Sequence, residues 1–519
     1  MSIRKCIVNS TIKWFFTTCM LLYVTTCLFS QTESAKIDWN PGSLDNAPYL
    51  LGHFDDRFIY NQKNKNEWNI TFIEKGNEEV GSSLLMAPCD DCFISSHYTV
   101  STSAGNFFLS AAFDENQEKL SLYNFKQKES VIDKGEMFHD QKLELCGRTK
   151  GQNNPAIQRK SFSQDYPIGE WEVSPDKSIV GYYNILANDL IHKEKKVLVA
   201  AFDQDLKKKW EKTIVLGDKK EKNHLVDIFV SNDGKIFALI KHKPSDSSIP
   251  ANSFGYSYKI LVVSNTDTEN IVVNLNEDRI IYNASFVKGL KNGKVTVGGY
   301  YGKAKGFITG NFVYEAGLNN SKSNYNCNLF SKISLDTHPK KYKKVKNNSF
   351  RNHEFYMIDV VGFENGNVLF VGEFNWIDVG APGGQSAEFW GDILTTVIDA
   401  QGNLMEANFI RKNYQTNSNK YDSILKRDED HAYIAFVDFK KKIERKERDI
   451  SKGGGYFDLV VLDPGGKIKF NNTINVNREN KIRVTSSFLW LSDDLLIFQG
   501  RSTSKKNYVG TIPLSALNL

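Results

Sequence analysis

A polar turn followed at once by a short, almost wholly apolar strand recurs along this chain, and that recurrence limits the folds open to it. It appears as Ala104-Gly105-Asn106 before FFLSAAF, Pro175-Asp176-Lys177 before SIVGYY and Asn232-Asp233-Gly234 before KIFALI. It returns as Asn292-Gly293 before KVTVGGYY, Asn365-Gly366 before NVLFVGEF, Glu429-Asp430 before HAYIAFVDF and Asp493-Asp494 before LLIFQG. Turn residues between two apolar runs are a hairpin signal, because they accept the positive φ angles that tight hairpins need. These seven anchors are spaced on average about 65 residues apart, a period that belongs to a repeat architecture. A second signature, an apolar strand, an acidic turn and another strand, follows in LVAAFDQDLKKKWEKTI, LTTVIDAQGNLMEANFI and LVVLDPGGKIKFNNTI.

Each repeat thus supplies two hairpins, or four strands. Strands such as KIFALI and NVLFVGEF are continuously apolar, as expected where both faces of a sheet are covered. A 3.6-residue apolar period is rare, so helices are expected to be scarce. Four-stranded sheets repeated radially leave only short, protected strand edges. At the level of architecture the chain resembles the β-propeller repeat proteins. WEVSPDKSIVGYY and LVAAFDQDLKKKWEKTI look like blades of TolB-like and WD40-like propellers, although no repeated Trp-Asp ending and no sialidase-type Ser-x-Asp-x-Gly-x-x-Trp box occurs.

The resemblance implies an all-β fold, a propeller of about seven blades over residues 95–519. Residues 31–94 form an N-terminal segment, with WNITFIEKG (Trp68–Gly76) a candidate donor of the closing strand. Alternatively RFIYN and WNITFIEKG make a hairpin of their own, and the blades number eight.

Residues 1–30 read as a secretory signal peptide: Arg4, Lys5 and Lys13 precede an apolar segment from Trp14 to Val24, with cleavage near Ser30 or Gln31. That apolar core is shorter than the roughly 20 residues a spanning helix needs. A rival reading is a lipobox, Val24-Thr25-Thr26-Cys27, with Cys27 lipidated. The expected location is periplasmic or extracellular, with outer-membrane association if Cys27 carries lipid. Without the signal, 63 basic residues face 61 acidic ones, so no basic stripe invites nucleic acid.

Four cysteines lie beyond the signal: Cys89, Cys92, Cys146 and Cys327. Cys89-Asp90-Asp91-Cys92 could be a redox pair, half of a zinc site or a small disulfide. The two aspartates would raise the thiol pKa, and no second CxxC or HxxxH completes a zinc site. A Cys89–Cys92 disulfide is therefore expected, with Cys146–Cys327 the simplest second pairing. Asn265-Thr266-Asp267-Thr268-Glu269 lacks the glycine and distant glutamate of a calcium loop and reads as a turn. The nine histidines show no ligand spacing, and no GxSxG, HExxH or P-loop occurs, so no metal or cofactor is expected.

The lysine-rich runs His338–Lys346 and Lys440–Arg448 read as solvated faces. The stretch 376–391, WIDVGAPGGQSAEFWG, reads as an inserted loop whose Trp376, Phe389 and Trp390 are candidate contacts for a protein or glycan partner. With no catalytic motif in view, the leading expectation is a non-enzymatic, exported binding or scaffold subunit of the cell envelope. The alternative is a polysaccharide-active hydrolase or lyase with acidic residues gathered at a central channel. It requires two carboxylates roughly 5–9.5 Å apart across a polar cleft.

Overall fold

In a computed structural model, the described residues lie within 38–519, as backbone only up to residue 99. Outside the description lie residues 1–37, 40–48, 143–169, 186–193, 244–256, 331–349, 439–455 and shorter stretches between strands. The signal segment, Cys89, Cys146 and both lysine-rich runs fall there. Among the described residues no helix is long and apolar enough to cross a membrane.

The architecture is all-β, built from successive antiparallel sheets of four strands, two of which carry a short fifth strand. In chain order the sheets occupy residues 49–86, 92–142, 170–218, 222–273, 280–329, 355–416, 424–474 and 482–513. Within the first seven sheets the four main strands pair in chain order, as hairpins joined by turns require, and the short fifth strands, Val131–Ile132 and Tyr414–Thr416, pair with the third. Trp68–Gly76 falls largely within Glu67–Glu74, the third strand of the first sheet. The last sheet takes its fourth strand from the other end of the chain, Asp38–Trp39, which pairs antiparallel with Asn507–Pro513. The pairing at the chain ends therefore uses Asp38–Trp39, and the first sheet is complete in itself.

The continuous apolar runs have a direct physical reason. Successive sheets pack face to face, so the two faces of one strand meet different neighbours. In Ile236–Lys243, Ile236, Ala238 and Ile240 pack with Val197, Val199 and Ala201 of the third sheet. The intervening Phe237 and Leu239 pack with Phe286, Val297 and Phe312 of the fifth. The same layering joins the second sheet to the third, the fifth to the sixth and the sixth to the seventh. The first strand of each sheet also touches the first strand of the next, and the first strand of the last sheet touches that of the first.

The acidic turns have one construction. Asp203, Asp399 and Asp463 each accept two backbone N–H bonds on Oδ1, from the residues two and four further on, at 2.7–3.0 Å. The residue three on takes positive φ: Leu206 at 62°, Gly402 at 86° and Gly466 at 88°. An aspartate bonding forward and a left-handed residue reverse the chain in a few residues. Ser264–Asp267 makes a comparable turn between Ser257–Val263 and Thr268–Val273, with Ser264 N donating to Asp267 O at 3.0 Å.

Candidate functional site

One group of charged residues gathers on, or just beyond, the first strands of the third to sixth sheets. Those of the fourth and sixth sheets, Lys222–Val230 and Phe355–Gly362, carry the same irregularity: the register slips by one residue just before Asp227 and just before Asp359. A β-bulge re-aims the side chain beside it. In both strands the aspartate then folds back onto the next amide, Ile228 N donating to Asp227 Oδ1 and Val360 N to Asp359 Oδ1, each at 2.8 Å.

Glu172 comes from the first strand of the third sheet, Glu170–Val173. Its neighbour Trp171 anchors that strand between Tyr182 and Phe138, with ring centroids 4.5 and 5.9 Å away. Lys288 follows the first strand of the fifth sheet, Ile280–Phe286. Its backbone forms a parallel bridge with Val361, and Gly362 N donates to its carbonyl at 2.8 Å. That bond fixes Lys288 against the sixth sheet. Its ammonium reaches back to Glu172 Oε2 at 2.7 Å and to Asp227 Oδ1 at 3.4 Å. Asp227 Oδ2 in turn accepts from Ser285 Oγ at 2.5 Å and Phe286 N at 2.9 Å. Four consecutive sheets thus contribute to one charged cluster.

The protonation states follow from the surroundings. Burial raises the Asp359 carboxyl to about 6, opposed by the Val360 N–H bond, helped by the like charge of Asp227 and offset by Lys288 and Lys426. Burial also raises the Glu172 carboxyl above its ordinary value, against the pull of Lys288. For Lys288 burial works the other way, and Asp227 and Glu172 outweigh it, so its pKa is raised and the ammonium stays charged. Lys426, on the first strand of the seventh sheet, is open to water, yet enough protein surrounds it that desolvation lowers its pKa. Such a set, a carboxyl titrating near 6 beside a charged lysine and two further carboxyl groups, is suited to proton transfer.

Gly289 makes the close packing possible. Its φ of +95° turns the chain directly after Lys288, and a Cβ there would stand 1.9 Å from the Arg427 guanidinium. Gly289→Ala is expected to lower stability by about 1–3 kcal/mol, through backbone strain and overpacking. Thermal unfolding of the variant checks it; an unchanged midpoint would mean that Arg427 moves aside at no cost.

The residues singled out from the sequence lie elsewhere. Trp376, Phe389 and Trp390 stand on paired strands, Val368–Asp378 and Ala387–Ile398, with Trp376 opposite Phe389 and Asn375 opposite Trp390. The expected loop 376–391 is corrected accordingly: strand pairing runs through both flanks, and 379–386 lies outside the described residues. Cys92 opens the strand Cys92–Thr102 and Cys89 lies outside the described residues, as does Cys146. Cys327 is half-buried and accepts from Arg279 Nη1 at 3.4 Å. Among the described residues no group of three His, Cys, Asp or Glu side chains could hold a metal ion.

Glu172, Asp227, Lys288 and Asp359 were not singled out from the sequence, though a signal was present. Val-Asp-Ile at 226–228 and Ile-Asp-Val at 358–360 each put an aspartate in an apolar first strand, six residues before the turn residues Asp233 and Asn365.

No protein-family model matches the chain. No curated protein matches it in sequence. Solved structures do match in arrangement. Puromycin hydrolase aligns at 10% identity with a TM-score of 0.39, over 88% of this chain and 58% of its own. The polysaccharide lyase Uly1 aligns at 8% and 0.41, over 93% and 98%. The WD40 domain of SCAP from fission yeast aligns at 7% and 0.39, over 92% and 98%. The chain spans little more than half of the hydrolase it matches. What these matches give is a distant structural resemblance to propeller- and peptidase-type folds, with no specific TolB-like or WD40 family singled out. They also correct the expectation of a non-enzymatic scaffold. Hydrolases and a lyase stand among the similar structures, against that expectation. Likeness this distant transfers no activity, and any reaction has to be argued from the side chains.

Proposed function

We propose that the sheets close into an eight-bladed propeller and that the protein is an exported hydrolase of polysaccharide, working at the channel its first strands surround. Closure is supported by the unbroken succession of first-strand contacts and by Asp38–Trp39 completing the last sheet. The observation that carries the catalytic reading is the convergence of Glu172, Asp227 and Asp359 about Lys288.

The groups divide by their bonds. Both oxygens of Asp227 are occupied, by Lys288 and Ile228 N on one side and by Ser285 and Phe286 N on the other, so Asp227 holds Lys288 in place. Glu172 binds Lys288 through Oε2 alone. Its Oε1 is left to take a proton from an attacking water, and its raised pKa makes it a better base than a free carboxylate. Asp359, protonated below about 6, gives its proton to the leaving glycosidic oxygen. Atoms balance: water adds across the bond, its proton passing to Glu172 and the Asp359 proton to the released hydroxyl.

The test is incubation of purified protein with neutral and acidic polysaccharides, following new reducing ends and, separately, unsaturated elimination products. New reducing ends without unsaturation are expected. Glu172→Gln should lower that rate by about 10²–10⁴-fold, the usual share of one acid or base. Unsaturated products would replace hydrolysis by elimination, and no cleavage of any glycan would overturn the reading.

A further inference from the structure

A cleft of about 550 Å³ opens beside this cluster, lined by Asp176, Phe229, Asn232, Phe237, Leu290 and Lys294 among others. Its walls are continuations of the segments that carry the charged groups. Pro175 and Asp176 follow Glu172 on the third sheet, Phe229 follows Asp227 on the fourth, and Leu290 follows Lys288 on the fifth. Residues two apart on a strand face the same way, and Asp227 and Phe229 are both half-exposed while Ile228 and Val230 are buried. The cleft therefore begins about 7 Å along the strand from Asp227, two residues of extended chain.

Its make-up is apolar on the floor and polar on the rim. Phe229 is held with its ring centroid 6.0 Å from both Phe237 and Phe286. The rim is pre-arranged, since Asp176 N donates to Asn232 Oδ1 at 3.2 Å and so ties the turns of the third and fourth sheets. That bond uses the oxygen of the Asn232 amide and leaves its Nδ2 to donate. Asp176 Oδ1 accepts from Ser174 Oγ at 2.7 Å and Ser178 N at 3.0 Å, which orients a carboxylate on the same rim. An aromatic face below and fixed hydroxyl-binding groups around it match a pyranose ring, apolar on its faces and polar on its edge. The volume lies within the range of about 300–1,000 Å³ usual for small-ligand sites.

Resting on the hydrolase reading, we infer that this cleft is a sugar subsite, taking the unit of the polysaccharide next to the bond cleaved, with Phe229 beneath the ring and Asn232 and Asp176 on its hydroxyls. Phe229 and Asn232 are then positioning residues and Glu172 and Asp359 the catalytic ones.

Binding and cleavage separate the two claims. Cello-, xylo- and alginate-oligosaccharides, from disaccharide to hexasaccharide, are titrated calorimetrically into Asp359→Asn protein and offered to the native chain for cleavage. Asn232→Ala, at an exposed turn position, is the first variant. Phe229→Leu is the second, keeping bulk in the core while removing the aromatic face. Each is expected to weaken hexasaccharide binding about tenfold and to raise KM with little change in kcat, and to weaken disaccharide binding as well, since a disaccharide spanning the bond fills this subsite. Equal affinity of variants and parent for every length would overturn the subsite and leave the hydrolase reading standing. Binding that is lost in both variants, without cleavage of any oligosaccharide by the native chain, would uphold the subsite and overturn the hydrolase.

Discussion

Lys412→Met is expected to destabilise the protein by about 3–5 kcal/mol, the cost of leaving one member of a buried ion pair without its partner. Lys412 and Glu373 are both 0% exposed, and the ammonium donates directly to Glu373 Oε1. Glu373 stands on the second strand of the sixth sheet, two residues beyond Val371, and so shares the face that packs toward the seventh. Lys412 lies just past Leu404–Ile410; its backbone N–H donates to Asp392 Oδ1 at 2.9 Å, and its ammonium sits 5.7 Å from the Phe436 ring centroid. Removing the ammonium strands a carboxylate between two sheets, where water does not reach it. Glu373→Leu combined with Lys412→Met removes both charges, and much of the lost stability should return. Urea midpoints of the four proteins of this cycle measure it. Single variants as stable as the native chain would show that solvent enters between the sheets at that point.

The pair also shows where sequence reading stops. In NVLFVGEF the glutamate looks like the polar end of an apolar strand, and nothing in the forty residues to Lys412 marks them as partners. The fold was far more legible, because the information was local. A strand with both faces covered must be apolar throughout, and Ile236–Ile240 declares this in five letters. The acidic turns were equally plain, since Asp399 and Asp463 do their work within four residues. Seven anchors left the first sheet, over 49–86, to the alternative count of eight, although Asp55-Asp56 before RFIYN repeats the pattern of Asp493-Asp494 before LLIFQG. Asp38–Trp39 is only two residues long, and no periodicity reveals a strand of that length.

The charged cluster was half legible. An aspartate amid apolar strand residues is costly unless something satisfies it, so Val226-Asp227-Ile228 and Ile358-Asp359-Val360 each announce a special position. That both sit beside a bulge, and that both look toward a lysine from the sheet between them, is set by packing across sheets. Lys288 is one of many lysines in the sequence, and only its bridge to Val361 picks it out.

Asp359→Asn is expected to lower cleavage by about 10²–10⁴-fold and, at the same time, to stabilise the protein at neutral pH. The native Asp359 carboxyl titrates near 6, against 3.8 for the ordinary group, because it is desolvated and faces Asp227. Between those values the folded chain keeps a proton that the unfolded chain has released. Native stability therefore falls as pH rises through that window, and above about pH 6 the full cost of the ionised carboxylate is present. Asparagine carries no such cost, and its Oδ1 can still accept from Val360 N, the one backbone bond Asp359 Oδ1 receives. The variant should accordingly unfold at higher denaturant than the native chain near neutrality, with the difference vanishing below about pH 4. Cleavage by the native protein should fade as pH rises through about 6, at the upper edge of that window, where the folded acid loses its proton and the fall in stability levels off. A residue kept for structure would lose stability on substitution, whereas one kept for proton transfer loses activity and gains stability. Unfolding curves at several pH values, beside the pH dependence of cleavage, distinguish the two, and a variant less stable than the native chain at neutral pH would rule out the assigned role.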